Sequence, residues 1–79
     1  MPDLVFPDHA LQRMRERDLL IEHVHQVVED ADRIIERDDG RTEYSRIVDD
    51  GRDVTVVVED DGITVVSVMA RRRRRPRRR

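Results

Sequence analysis

The spacing of apolar residues along the chain changes once, near Asp32. Before this point, apolar residues recur every three or four positions in the segments 9–17 and 20–30, which predicts two amphipathic helices. After it, they alternate with polar residues or run together in short segments rich in Val, Ile and Thr, which is typical of strands. The apolar run 4–6 predicts one short strand before the helices. The pattern therefore predicts an α+β fold in the order strand, helix, helix and four further strands.

Each predicted helix has one apolar face. Asp8 is predicted to cap a helix that begins near His9, because a carboxylate can accept the free N–H groups of a first turn. Ala10, Leu11 and Met14 then share one side of this helix. The apolar face of the second helix contains Leu20, Ile21, Val24, Val27, Val28 and Ala31. Its valines are weak helix formers, so we expect tertiary packing to hold this helix.

Three Asp-Asp-Gly triplets divide the strand-rich half of the chain at equal intervals. They occupy residues 38–40, 49–51 and 60–62. An Asp-Gly pair between β-rich runs favours a two-residue type I′ hairpin, because both central positions of that turn take a positive φ. The segments around the triplets are therefore predicted to form a four-stranded antiparallel meander, with strands at 33–37, 42–48, 53–59 and 63–69.

The turn type also decides which side chains share a face of the sheet. Two-residue loops place Ile47 opposite Val54, and Val58 opposite Val65. The face that the helices are predicted to cover then contains Ile34, Ile47, Val54, Val56, Val58, Ile63, Val65 and Met69. The other face contains Ile35, Tyr44, Arg46, Val48, Thr55, Val57, Thr64, Val66 and Val68. This second face is too apolar to be freely solvated, so we expect it to bind a partner protein, a second copy of the chain or a ligand.

Length and composition predict one small domain at residues 1–70 and a separate tail at residues 71–79. About seventy residues are near the lower limit for a self-sufficient hydrophobic core. The chain has no cysteine, so disulfides cannot stabilise it, and a reducing compartment suits it. No segment reaches the roughly 18 apolar residues that a membrane span needs, and no signal peptide is recognisable. We therefore expect a cytoplasmic protein with no membrane partner.

The net charge of −2 conceals two regions of opposite charge. Residues 1–70 contain all 18 acidic residues against 8 arginines, whereas residues 71–79 contain 8 arginines and no acid, giving net charges of −10 and +8. The tail has nothing apolar to bury, and it is predicted to be disordered and to bind RNA phosphates. The predicted nucleic-acid-binding residues are Arg71, Arg72, Arg73, Arg74, Arg75, Arg77, Arg78 and Arg79. An incidental tail, or one that folds back on the acidic domain, is the alternative.

The segment from Phe6 to Arg17 reads Phe-Pro-Asp-His-Ala-Leu-Gln-Arg-Met-Arg-Glu-Arg. It resembles the signature of the domain of unknown function 4258 family, in which a phenylalanine precedes His-Ala-x-x-Arg-Met-x-x-Arg, and the resemblance extends over residues 4–69. The resemblance implies a fold similar to that of the RelE and BrnT toxins, which are small ribonucleases of toxin–antitoxin systems. Family members often have Gly-Ile-Ser where this chain has Asp18-Leu19-Leu20, so the serine that would cap the second helix is missing.

The resemblance also implies a candidate catalytic set. His9, Arg13 and Arg17 occupy signature positions, Tyr44 matches the family's aromatic residue, and Arg46 lies beside Tyr44 on the predicted open face. A histidine next to fixed guanidinium groups could act as acid or base and neutralise charge in a metal-independent endoribonuclease. The alternative is structural: His9 bonds locally at the helix start, the arginines pair with carboxylates, and Tyr44 fills a cross-strand position.

The sequence predicts neither a metal site nor a cofactor. His23 and His25 would point about 160–200° apart on a helix, so they cannot bind one ion together. No glycine-rich phosphate loop is present, and the paired aspartates are turn residues.

Three functional hypotheses follow from these patterns. The first is a RelE-like domain that acts on RNA, either as a toxin-type ribonuclease with an antitoxin-like partner or as a degenerate relative. The second is a non-catalytic protein-interaction module that uses the uncovered sheet face. The third is an RNA-binding accessory protein whose arginine tail alone is functional.

Overall fold

The computed structural model describes residues 3–72, in which two helices precede a four-stranded antiparallel sheet, as the sequence predicts. The helices are α1 (Asp8–Glu16) and α2 (Ile21–Glu29). The strands are β1 (Arg33–Glu36), β2 (Thr42–Ile47), β3 (Arg52–Val58) and β4 (Val65–Arg72). They lie side by side in chain order, so the predicted meander is confirmed.

The N-terminal segment differs from the predicted strand. Val5 forms one isolated parallel bridge with Thr64. Its N–H donates to the Ile63 carbonyl at 2.8 Å, and its carbonyl accepts the Val65 N–H at 2.9 Å. Residues 4–6 therefore contribute a single bridge, which lies beside the beginning of β4.

The start of α1 also differs from the prediction. Asp8 is the first residue of the helix, and Pro7 occupies the capping position, where no side chain accepts a hydrogen bond. The Pro7 carbonyl instead accepts the N–H groups of Ala10 and Leu11 at 2.9 and 3.1 Å. Asp8 still lies in the first turn, where a negative charge interacts favourably with the helix dipole.

The last strand extends into the predicted tail. Arg71 and Arg72 are the last residues of β4, opposite Asp53 and Arg52 of β3. These two residues therefore belong to the sheet and not to a disordered segment. The remaining predicted RNA-binding arginines, within 73–79, lie outside the described residues.

The first two Asp-Asp-Gly triplets form three-residue loops, so the prediction of two-residue hairpins is wrong. In the second loop, the Val48 N–H donates to the Arg52 carbonyl at 2.9 Å, leaving residues 49–51 as the loop. Gly51 has a φ of 91°, whereas both aspartates have a negative φ. In a three-residue hairpin only the last position requires the left-handed conformation, which suits Asp-Asp-Gly better than a turn that would strain an aspartate.

This loop shifts the register between β2 and β3 by one residue. Ile47 lies opposite Asp53 and not opposite Val54. A shift of one residue turns every side chain of the strand to the other face. Tyr44, Arg46 and Val48 therefore lie on the face that the helices cover, which corrects their predicted position on the open face.

A β-bulge interrupts the pairing of β3 with β4. Val58 lies opposite Val65, as predicted, but Val57 lies opposite Ser67. Val66 is the extra residue and has no partner in β3. The extra residue also turns the side chains that follow it in β4 to the opposite face of the sheet. Val68 is therefore buried and Met69 exposed, the opposite of the prediction.

The hydrophobic core lies between the sheet and the two helices. α1 packs against β4, and α2 packs against β2 and β3. The core residues are Ala10, Met14, Leu19, Val24, Val27, Val48, Val54, Val56, Val58, Val65 and Val68. Most of them are valines, which are stiff and β-branched. More than half of them lie in the strands or directly after β2, so the sheet supplies most of the apolar surface that holds α2.

The open face of the sheet is more polar than predicted. Ser45 and Thr55 share a hydrogen bond of 3.0 Å across β2 and β3. At the end near the first turn, Arg41 pairs with Glu59 at 3.3 Å, and the buried Val57 lies on the same face. The open face is therefore mixed, with the apolar side chains of Ile35, Ile47, Val57 and Met69 lying among polar ones.

The last aspartate of the third triplet organises its turn. The Asp61 carboxylate accepts the Thr64 hydroxyl at 2.6 Å and the N–H groups of Ile63 and Thr64 at 2.8 and 2.9 Å. These bonds, led by that of the hydroxyl, hold the pKa of Asp61 below its ordinary value.

We therefore expect Asp61→Asn to lower stability at pH 7, and the difference from wild type to shrink on acidification. A carboxylate with a depressed folded-state pKa stabilises the fold above its ordinary pKa, and this contribution is lost as the pH falls through the folded-state value. Urea unfolding between pH 7 and pH 2.5 measures the difference. Asp60→Asn is the control, because the neighbouring Asp60 carboxylate makes no hydrogen bond within residues 3–72; an equal pH dependence in both variants would refute this account of the turn.

Candidate functional site

Of the three candidate catalytic residues at α1, His9 contacts β4, Arg13 is exposed, and Arg17 follows the last residue of the helix. His9 Nε2 is 3.2 Å from the carbonyl oxygen of Val66, the bulged residue. The imidazole thus donates to a carbonyl of the one residue in β4 that has no partner in β3. The contact is long-range in sequence and joins the start of α1 to the bulge in β4.

The other two candidate residues lie beside α2. Tyr44 packs against the hydrophobic core. Arg46 Nη1 donates to the carbonyl oxygen of Asp30 at 2.8 Å and lies 3.3 Å from the Asp30 carboxylate. A guanidinium at the C-terminal end of a helix satisfies a free carbonyl and interacts favourably with the helix dipole. Arg46 therefore caps α2, and the five candidates divide into one group at α1 and another at α2.

A concavity of about 370 Å³ lies on the open side of the sheet, between Arg33 at the start of β1 and Arg71 near the end of β4, and Arg17 at the end of α1 also lines it. We call it the arginine groove. It is lined by Arg17, Arg33, Asp53, Thr55, Met69, Ala70 and Arg71. Of the sequence-predicted residues, Arg17 and Arg71 meet here, although they were assigned to different functions.

The arginine groove is positively charged. Three guanidinium groups face one carboxylate, so its lining has a net charge of +2 in a domain that is acidic as a whole. Arg33 Nη2 lies 3.6 Å from Asp53 Oδ2, and Arg17 Nη1 lies 3.8 Å from its chain neighbour Glu16. Both distances exceed that of a good hydrogen bond, so the donors of these guanidinium groups remain available to a ligand.

Two of the three acidic turns lie at the end of the sheet opposite the arginine groove. The loops 38–40 and 60–62 are adjacent, since a Cβ on Gly40 would stand 3.3 Å from the Cβ of Asp60. β4 begins near this pair of loops and ends at the arginine groove, about 20 Å away at the usual rise of a strand. These two loops therefore lie far from the groove, whereas the loop 49–51 lies at the same end of the sheet as the groove, since Arg52, which follows it, is opposite Arg72.

Arg52 positions Arg17 at the groove, a role that has no local signal in the sequence. Its guanidinium donates to the carbonyls of Arg17 and Asp18 at 2.6 and 3.0 Å, and to the Asp50 carboxylate at 2.9 Å. Its side chain is only 15% exposed. The hydrogen bonds from Arg52 hold the pKa of Asp50 below its ordinary value. One side chain thus connects the second loop to the end of α1.

The end of α1 has the Schellman geometry. The Leu19 N–H donates to the Met14 carbonyl at 2.8 Å, and the Asp18 N–H donates to the Arg15 carbonyl at 3.1 Å. Asp18 has a φ of 54° and occupies the position where the family resemblance implies glycine. At the start of α2, Leu20 stands where the serine cap is missing. His23, in the first turn, accepts the N–H of Leu20 through its Nδ1 at 3.0 Å.

The remaining histidine does not approach His23. His25 Nδ1 lies 3.5 Å from Glu29 Oε2, and its ring centroid is 6.1 Å from that of Phe6. In the part of the chain that the structure describes, no three His, Asp or Glu side chains are grouped as metal ligands. Within residues 3–72, neither helix has the length and apolar character of a membrane span.

Fold and groove together define a small α+β domain with a cationic cleft at one end of its sheet. A family model matches residues 6–70, and the chain belongs to this family, the Domain of unknown function (DUF4258). The match includes α1, α2 and the sheet as far as Ala70. No curated protein and no solved structure matches the chain.

Proposed function

We propose that this domain binds RNA in the cytoplasm, through the arginine groove and the arginine run that continues from it. The observation that carries the proposal is the position of Arg71 at the end of β4. Arg71 lines the groove, and the next residues of the sequence are mostly arginines. Positive charge is thereby concentrated at one end of the fold, where it can neutralise successive phosphates of one strand.

The lining of the groove favours RNA with exposed bases over a bare polyanion. Met69 is about half exposed, and Thr55 and Asp53 place a hydroxyl and a carboxylate between the arginines. Single-stranded RNA offers base faces and 2′-hydroxyls to such groups, whereas duplex nucleic acid keeps its bases stacked. A volume of about 370 Å³ is within the range of small-ligand sites, and one nucleotide would fill it.

Toxin-type RNA cleavage is the second candidate, and the stripe of His9, Arg13 and Arg17 along α1 supports it. Cleavage requires a group that takes the proton of the 2′-hydroxyl. The groove lining contains no histidine, and the Nε2 of His9 is engaged by Val66. We therefore favour an RNA-binding relative of the RelE-like ribonucleases. A protein-interaction module is the alternative, supported by Ile35 and Met69, which are each about half exposed on the open face.

Arg17→Ala is expected to weaken binding of a single-stranded RNA by roughly fivefold, which is about 1 kcal/mol. It is also expected to reduce the slope of log affinity against log salt by about 0.7, because one phosphate contact is lost. Fluorescence anisotropy with a labelled 12-nucleotide RNA measures both quantities.

Arg37→Ala is the matched control, since Arg37 carries the same charge but pairs with Glu43 and Asp39 at the opposite end of the sheet. Equal losses in the two variants would mean that the groove has no special role. Absence of binding by the intact chain at 100 mM salt would reject the proposed function. Cleavage of the RNA in chelator, lost in His9→Ala, would favour the ribonuclease.

A further inference from the structure

We propose that the arginine groove binds the terminal phosphate of an RNA chain, a phosphomonoester dianion, in preference to an internal phosphodiester. The inference rests on the proposed function and specifies the ligand of the same groove. It predicts that the domain recognises RNA ends produced by a reaction that leaves a phosphate on one terminus.

The first argument is charge. The groove has a net charge of +2, and a phosphomonoester carries a charge of about −1.5 to −2 at pH 7 with three acceptor oxygens. An internal phosphodiester carries only one negative charge and two free oxygens. A terminal phosphate therefore matches the groove more closely in both charge and number of acceptors.

The second argument is the origin of the three guanidinium groups. Arg17 follows the last residue of α1, Arg33 begins β1 and Arg71 lies near the end of β4. Groups from three separate elements surround one concavity, whereas an extended strand with regularly spaced phosphates would be met by a row of cations along one element. Guanidinium groups also bind phosphate oxygens in bidentate geometry.

The third argument concerns the rigidity of the groove. Arg52 fixes the main chain at Arg17 through the carbonyls of Arg17 and Asp18. Arg71 belongs to a paired strand, and Asp53, opposite it, lies 3.6 Å from Arg33. The main chain at Arg17 and at Arg71 is thus held in place before a phosphate binds, which lowers the ordering cost of binding.

The test compares RNAs of one sequence with a 5′-phosphate, a 3′-phosphate or hydroxyls at both ends, bound to the full chain. One of the phosphorylated ends is expected to bind about tenfold tighter than the hydroxyl form, as about 1.4 kcal/mol of charge-assisted hydrogen bonding would give. The gain should decrease below about pH 6, where the phosphomonoester takes up its second proton. Arg71→Ala should remove the gain, and Arg37→Ala should retain it.

The outcomes separate this inference from the proposed function. Equal affinity for all three RNAs overturns the inference and leaves RNA binding intact, whereas no binding of any of them overturns both. Inorganic phosphate at millimolar concentration should reduce the affinity of the phosphorylated RNA to that of the hydroxyl form, and failure to do so contradicts the inference. Equally tight binding of a phosphoserine peptide would show that the ligand is not specific to RNA, and would also overturn it.

Discussion

Replacement of Arg52 by methionine is expected to lower the free energy of unfolding by about 2–4 kcal/mol. Arg52 donates to two main-chain carbonyls at the end of α1 and to the Asp50 carboxylate, with its side chain largely buried. Hydrogen bonds from a charged group stabilise more than neutral ones, and their removal leaves carbonyls without donors. Methionine keeps the apolar part of the side chain, so the loss reports the hydrogen bonds. Urea denaturation followed by circular dichroism measures it.

The chain contains its own control for this prediction. Arg41 follows the first Asp-Asp-Gly triplet as Arg52 follows the second, but its guanidinium meets only the carboxylates of Glu59 and Asp39 and its side chain is 37% exposed. Ion pairs that solvent reaches contribute little, so Arg41→Met is expected to cost less than about 1 kcal/mol. Equal losses in the two variants would contradict the role assigned to Arg52.

The same pair of arginines shows why part of the site could not be predicted. The sequence Asp-Asp-Gly-Arg occurs twice with the same local chemistry. What distinguishes Arg52 is the end of α1, which the fold brings to the second loop and not to the first. A residue whose role depends on such a long-range contact leaves no local signal in one sequence.

The elements themselves were predictable because each depends on short-range patterns. Apolar spacing predicted α2 from Leu20 to Asp30, and the helix extends from Ile21 to Glu29. The predicted meander is confirmed for a similar reason, since turn residues separate β-rich segments. Boundaries changed by only a few residues, because local propensity and the hydrophobic pattern favour the same elements.

The register was not predictable, because an Asp-Asp-Gly triplet is compatible with loops of two or three residues. A two-residue loop would give an aspartate a positive φ, whereas the observed three-residue loop avoids that strain. This small local difference places Tyr44 and Arg46 under α2, and the bulge at Val66 turns Met69 to the open face beside Thr55. The arginine groove was therefore hidden from sequence reasoning, although Arg17 and Arg71 were both selected.

RNA binding by the full chain is expected to weaken by about 10³-fold or more when the salt concentration rises from 50 to 200 mM. This prediction rests on the proposed function. The groove and the arginines of residues 71–79 can together neutralise about eight phosphates, and the release of counterions by each contact makes affinity strongly dependent on salt. A chain that ends at Arg72 retains about three such contacts, so its affinity should decrease only about 20-fold over the same range.

The acidic domain does not cancel this effect, because of distance and screening. The aspartates of the loops 38–40 and 60–62 lie about 20 Å from the groove along β4, whereas the Debye length at 0.1 M salt is about 10 Å. Repulsion from these carboxylates is therefore largely screened at the groove, where Arg17, Arg33 and Arg71 outnumber the one lining carboxylate, Asp53. A titration of affinity against salt for both chain lengths decides the matter. Identical slopes would show that the run 73–79 does not contact RNA, and a slope near zero for both would show that phosphates are not the ligand.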